Sequence, residues 1–130
     1  MASERQRQGP DRQGIGQRAE LLVSELLVEW GFLILARNLR LGYLELDLVA
    51  QREDLVVIVE VRARGATAYE RPFASLMSKK RMRLLHAADR LWRTRLAKMP
   101  SVQRLRIDAA SVDLRVEPPR IHYVEGAFMG

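Results

Sequence analysis

Hydrophobic residues recur along the chain with two different periods, and the change from one to the other marks out its elements. Between residues 18 and 30, Ala19, Leu22, Val23, Leu26, Leu27 and Trp30 fall on one helical stripe, and Gly31 supplies a C-terminal stop. This predicts a first helix. Residues 32–35 form a short β-prone run, followed by the polar group Arg37, Asn38 and Arg40 and a turn near Gly42. From 43 to 50 the period drops to two, with Leu44, Leu46 and Leu48 on one face and Tyr43, Glu45, Asp47 and Val49 on the other. After a polar turn at 51–54, residues 55–62 read LVVIVEVR, whose first half suits a strand covered on both faces. The two segments predict a hairpin. With Ala50 opposite Leu55, Glu45 faces Glu60 and Asp47 faces Ile58, so Glu45, Asp47, Glu60 and Arg62 gather at one end of a shared face.

Residues 63–75, with Gly65 and Pro72, read as a loop. A long helix follows and ends before Pro100. Two more strands are predicted at 106–114 and 120–124, separated by Pro118 and Pro119. The order αβββαββ predicts an α/β fold, a mixed central sheet with a helix on each face. Residues 1–15, rich in Gln, Arg and Gly, are expected to be a flexible polar tail, and residues 16–130 a single domain.

Composition narrows the class. The chain has 130 residues, 48% hydrophobic and 29% charged, which suits one soluble globular domain with a real core. No apolar run approaches the roughly 20 residues of a membrane span. The polar N-terminus lacks a secretory apolar stretch, so a cytoplasmic protein without membrane attachment is expected. The lack of cysteine excludes disulfides, thiolate zinc sites and a cysteine nucleophile. Any metal must therefore use oxygen ligands or the two histidines.

The net charge of +6 is unevenly spread. Residues 19–70 carry five basic and nine acidic groups, whereas residues 71–98 carry nine basic groups and the single acid Asp89. An acidic half beside a strongly basic segment suits a cation-binding carboxylate site next to a surface for polyanions. Glu60 is the focus of the acidic half. An acid inside a β-branched run is costly to bury unless a cation or a hydrogen-bond donor meets it. A hard divalent cation would serve, and so would structural ion pairing.

The spacing of Asp47 and Glu60-Val61-Arg62 resembles the Asp and Glu-x-Lys signature of the PD-(D/E)xK nucleases, the restriction-endonuclease-like fold. A longer resemblance covers residues 16–128: GQRAELLVSELLVEWGFLILARNLR, LELDLVA, LVVIVEVRAR, KKRMRLLHAA, LRIDAASVDL and IHYVEGAF are similar to the bacterial YraN family. That resemblance implies a restriction-endonuclease-like core and a metal-dependent endonuclease or resolvase-like phosphodiesterase. It implies that Asp47 and Glu60 are acidic ligands of Mg²⁺ or Mn²⁺, with Glu20 of helix one assisting as a third metal ligand, and it matches Glu45 to the family's Gly-Glu-hydrophobic-Asp run. Two positions depart from the pattern: Leu44 stands for the Gly before Glu45, and Arg62 stands for the motif Lys. Arg stays protonated near neutral pH, so Arg62 can donate to a scissile phosphate but cannot act as a base.

The second helix carries the basic segment. At 100° per residue, Arg83, His86, Arg90 and Arg93 all fall within about 40° of Lys79. Leu84, Leu85, Ala88, Leu91, Trp92 and Leu96 occupy the opposite side. Few acids are available for pairing along the helix, and Lys79, Lys80 and Arg81 sit near its start, where the dipole disfavours cations. A bound phosphate resolves both conflicts, so this stripe is expected to bind DNA or RNA. His122 reads as a strand surface residue, and Trp30 and Trp92 as core. Three readings remain open: a metal-dependent nuclease, a catalytically silent DNA- or RNA-binding module of the same fold, and an adaptor that binds protein through a sheet edge. Fold-level analogy with the resolvases admits a homodimer.

Overall fold

A computed structural model of the chain describes residues 12–64 and 73–127. Most of the expected tail, residues 1–11, and of the expected loop, residues 65–72, lies outside the described residues. Helix α1 (Arg12–Glu29) takes in residues 12–15, which were expected in the tail. It starts one turn and a half before the expected apolar stripe, which half-buried Ile15 extends backwards, one turn before Ala19. The helix stops where Gly31 takes φ +90°, and the Phe32 N–H donates to the Leu27 carbonyl at 2.9 Å. A left-handed residue just past the last turn is the usual way for a helix to satisfy its final carbonyls.

Three antiparallel strands follow, β1 (Leu33–Leu41), β2 (Leu44–Arg52) and β3 (Leu55–Arg64). Helix α2 (Phe73–Thr94) and a short 3-10 turn (Leu96–Lys98) lead to β4 (Arg104–Asp113), and β5 (Arg120–Val124) closes the sheet. The five strands lie in sequence order, and β3 and β4 are parallel while every other pair is antiparallel. Parallel neighbours need a crossover, and α2 provides it. The predicted order αβββαββ and mixed sheet are thus present.

The core has two layers. Under α1, Ala19, Val23 and Leu27 pack on Leu48, Ala50, Val57, Val59, Ala110 and Val112. Under α2, Leu84, Ala87, Ala88 and Leu91 pack on Val49, Val56, Ile58 and Ile107. Residues 55–59 are therefore buried from both sides, as their unbroken apolar run requires. Truncating one fully buried leucine such as Leu27 to Ala costs about 2–5 kcal/mol at sites of this kind.

Three further expectations are corrected. Strand β1 runs straight through Arg37, Asn38 and Arg40, because it lies at the sheet edge and its arginines can point to water. Leu44 and Leu46 pack with the α2 layer and only Leu48 with the α1 layer; the alternation breaks at Asp47, where the β1–β2 ladder skips the Asn38–Asp47 pair and Asn38 takes φ +50°. Trp30 is exposed and sits edge-on to Tyr123 at 4.9 Å between ring centres, so it is not core. Among the described residues no helix is long and apolar enough to cross a membrane.

Candidate metal and polyanion site

The hairpin turn sets the position of the acids. Gln51 and Arg52 remain in the strand, and only Glu53 and Asp54 make the turn, with Glu53 at φ +55°. Gln51 donates to the Glu53 carbonyl, and Arg52 donates to the Trp30 carbonyl at 2.8 Å while stacking on Phe32. The pairing consequently runs from Arg52 opposite Leu55 to Leu48 opposite Val59. Relative to the sequence expectation the register slips by two residues. Glu60 moves from a place opposite Glu45 to one beside Asp47, and a slip of two residues by itself turns no side chain to the other face.

The ladder between β2 and β3 ends at this point, while β3 stays paired with β4 as far as Arg64. Asp47 Oδ2 accepts the Val61 N–H at 2.9 Å, taking a donor that β2 no longer meets with its backbone. The divergence opens a cleft of about 180 Å³, lined by Leu44, Glu45, Asp47, Glu60, Lys80, Arg83, Leu84 and Ala87. That is room for several waters.

Asp47 and Glu60 share a hydrogen bond, and burial pushes both carboxyls above their ordinary range. For Glu60 burial is the largest cause and the neighbouring Asp47 the next, and together they push it up to about 7. Lys80, from the first part of α2, forms an ion pair with Glu60 Oε1. The Glu60 side chain is only 6% exposed, whereas that of Lys80 is 40% exposed, so the ammonium reaches inward from the cleft mouth.

Two adjacent carboxylates with a cation held against them fit a hard divalent ion. Mg²⁺ and Mn²⁺ accept one or two protein carboxylates and complete their shell with water. Asp47 and Glu60 are the residues that could hold such an ion. Among the described residues no three Asp, Glu or His side chains are placed to share one metal ion, so Glu20 does not join Asp47 and Glu60 in one ligand set. Glu20 bonds instead to Asn38, near enough to Asp47 and Glu45 for their charges to add to the effect of burial in raising its pKa. Glu45 lies at the mouth, 3.8 Å from Arg40. Arg62 is half-buried two residues beyond Glu60, outside the cleft lining.

The basic stripe divides. Lys79, Arg83 and His86 are exposed, with Arg83 bordering the cleft. Arg93 is paired with Asp89 at 2.9 Å. Arg90 turns toward the β1–β2 turn and donates to the Leu41 carbonyl at 3.5 Å. Lys80, expected near the helix start as a nucleic-acid-binding residue, lies two turns inside α2, which begins at Phe73, and pairs with Glu60.

One buried acid is not among the residues that the sequence singles out. Asp108 on β4 is 0% exposed and accepts Nε–H and Nη2–H of Arg106, the Tyr123 hydroxyl at 2.5 Å and the Gly126 N–H at 2.9 Å. Its signal is an acid within the apolar run of LRIDAASV, the same feature that marks Glu60. Both oxygens of this carboxylate are engaged within the fold, and it knits β4 to β5 rather than facing the cleft.

Residues 19–112 match the family described as "Uncharacterised protein family UPF0102". A UPF0102 protein of Sorangium cellulosum is 45% identical over 101 residues, covering 78% of this chain and 70% of its own. One of Dehalococcoides mccartyi is 32% identical over 118 residues, covering 90% and 94% respectively. A third, from Nitratidesulfovibrio vulgaris, is 42% identical over 81 residues, covering 62% and 60%. The matched span contains most of α1, the hairpin that carries Asp47 and Glu60, and the whole of α2. The chain therefore belongs to the UPF0102, or YraN, family.

Proposed function

We propose that the protein is a nucleic-acid-binding protein of the nuclease-like fold that hydrolyses phosphodiesters with Mg²⁺ or Mn²⁺ held by Asp47 and Glu60. The observation that carries this reading is the contact of Asp47 with Glu60 at the point where β2 and β3 separate, in a cleft bordered by Lys80 and Arg83. A divalent ion there supplies a Lewis acid for the phosphoryl oxygen and a lowered pKa for its bound water. The chain's own residues do the rest. The Val61 N–H fixes the orientation of Asp47. Arg83, with Lys79 and His86 along the same exposed side of α2, draws the backbone of DNA or RNA to the cleft. Lys80, rather than Arg62, is the compact ammonium nearest the acids.

A second reading, a module that binds nucleic acid without cutting it, is favoured by the two-carboxylate set and by the ion pair that occupies Glu60. The two are separated by incubating the protein, in excess, with single-stranded, duplex and branched DNA and RNA in Mg²⁺ or Mn²⁺. Products that vanish in Asp47→Asn are expected. Binding without product under every condition would leave the silent module as the function.

A further inference from the structure

We infer that Lys80 is a built-in counter-ion that a divalent cation has to displace, so that metal entry at Asp47 and Glu60 drives the ammonium out to the cleft mouth beside Arg83. This rests on the reading of Asp47 and Glu60 as metal ligands and adds a coupling that the reading does not contain. Glu60 is almost wholly buried and lies against a second carboxyl, so some positive charge must stand beside it for both acids to ionise. The Nζ of Lys80 supplies that charge by direct contact with Oε1. A metal ion coordinated by the same oxygen cannot share the space with an ammonium at ion-pair distance. The geometry also provides a destination. The Lys80 side chain is partly exposed and sits on a flexible four-carbon stem, one helical turn before Arg83, which is exposed and lines the same cleft. Released from Glu60, its charge adds to that of Arg83 where a phosphate approaches. The metal-free protein thereby presents a weaker anion-binding mouth than the metal-bound one, and the two ligands reinforce each other.

Two measurements on the full chain test this. In the first, Mn²⁺ is titrated calorimetrically into wild type, Lys80→Met and, as a control for the loss of one remote charge, Lys98→Met. Lys80→Met is expected to bind Mn²⁺ about tenfold more tightly than wild type, which corresponds to roughly 1.4 kcal/mol. Lys98→Met is expected to match wild type. Equal or weaker binding in Lys80→Met overturns the displacement while leaving the metal site in place. Absence of Mn²⁺ binding in all three proteins overturns the metal site and the displacement with it.

The second measurement needs no cleft variant. Wild type is treated briefly with an amine-acylating reagent with and without Mn²⁺, and modification of Lys80 is read by peptide mass spectrometry relative to exposed Lys98. Mn²⁺ is expected to raise the relative modification of Lys80 several-fold, and Asp47→Asn to abolish the increase. Unchanged modification of Lys80 at saturating Mn²⁺ overturns the inference even if Lys80→Met fails to fold.

Discussion

At the scale of single residues, Glu60 links chemistry to stability. Its ordinary value of 4.5 is pushed up to about 7 in the folded chain, chiefly by burial and then by Asp47. Between those two pH values the folded protein holds a proton that the unfolded chain has released, so stability falls as pH rises through this window and the benefit is complete only below 4.5. Glu60→Gln, which has no proton to lose, should flatten that decline. Urea midpoints of the two proteins across the window read the effect, and parallel slopes would assign the decline to other groups. Glu60 was legible in the sequence because an acid set among β-branched residues has few explanations. The partner was not. A lysine two turns into a helix carries no mark of the strand it will land on, and Lys80 looked like its neighbour Lys79.

At the scale of elements, the position of the acids depended on one turn. Polar Gln51 and Arg52 resemble turn residues, yet tertiary partners keep them extended: Gln51 reaches Ser101 at 3.3 Å, and Arg52 covers Phe32. A pattern of polar and apolar positions holds no information about such distant partners, so the faces of β3 were legible while the register of the hairpin, and the break in alternation between Leu46 and Leu48, were not. The neighbouring β1–β2 turn makes a second long-range tie. Gly42 sits at φ +69°, and a Cβ there would lie 2.8 Å from an Arg90 guanidinium nitrogen. Gly42→Ala should destabilise the protein by about 1–2 kcal/mol from backbone strain alone. Crowding against Arg90 adds to this, and only that added part should disappear in the Arg90→Ala background. A double-mutant cycle in urea separates the two, and purely additive effects would show that α2 does not brace the turn.

At the scale of the whole molecule, the fold class followed from the order of helical and alternating segments, whereas the division of the basic stripe depended on side-chain partners. Arg93 spends its charge on Asp89, and Arg90 turns to the Leu41 carbonyl, so fewer cations face outward than the helical wheel implies. When Lys79 and Arg83 are neutralised, the slope of log affinity against log salt for duplex binding should therefore shrink by roughly 0.9 for each phosphate no longer engaged. Arg93→Ala should leave the slope unchanged. Fluorescence anisotropy over a salt series tests both statements, and a slope that responds to Arg93 but not to Arg83 would move the binding face.

The parallel pairing of β3 with β4 also sets an order of events during synthesis and folding. Antiparallel β1, β2 and β3 close through short turns, and such hairpins form in microseconds. The β3–β4 pair must wait for the long crossover through α2, a slower closure because distant segments have to meet. The hairpin alone, through contacts local in sequence, sets Asp47 beside Glu60, whereas their counter-ion Lys80 arrives on the crossover. The two acids and the charge that offsets them thus belong to different closures of the chain, and loosening α2 alone would leave the carboxylates together and unbalanced.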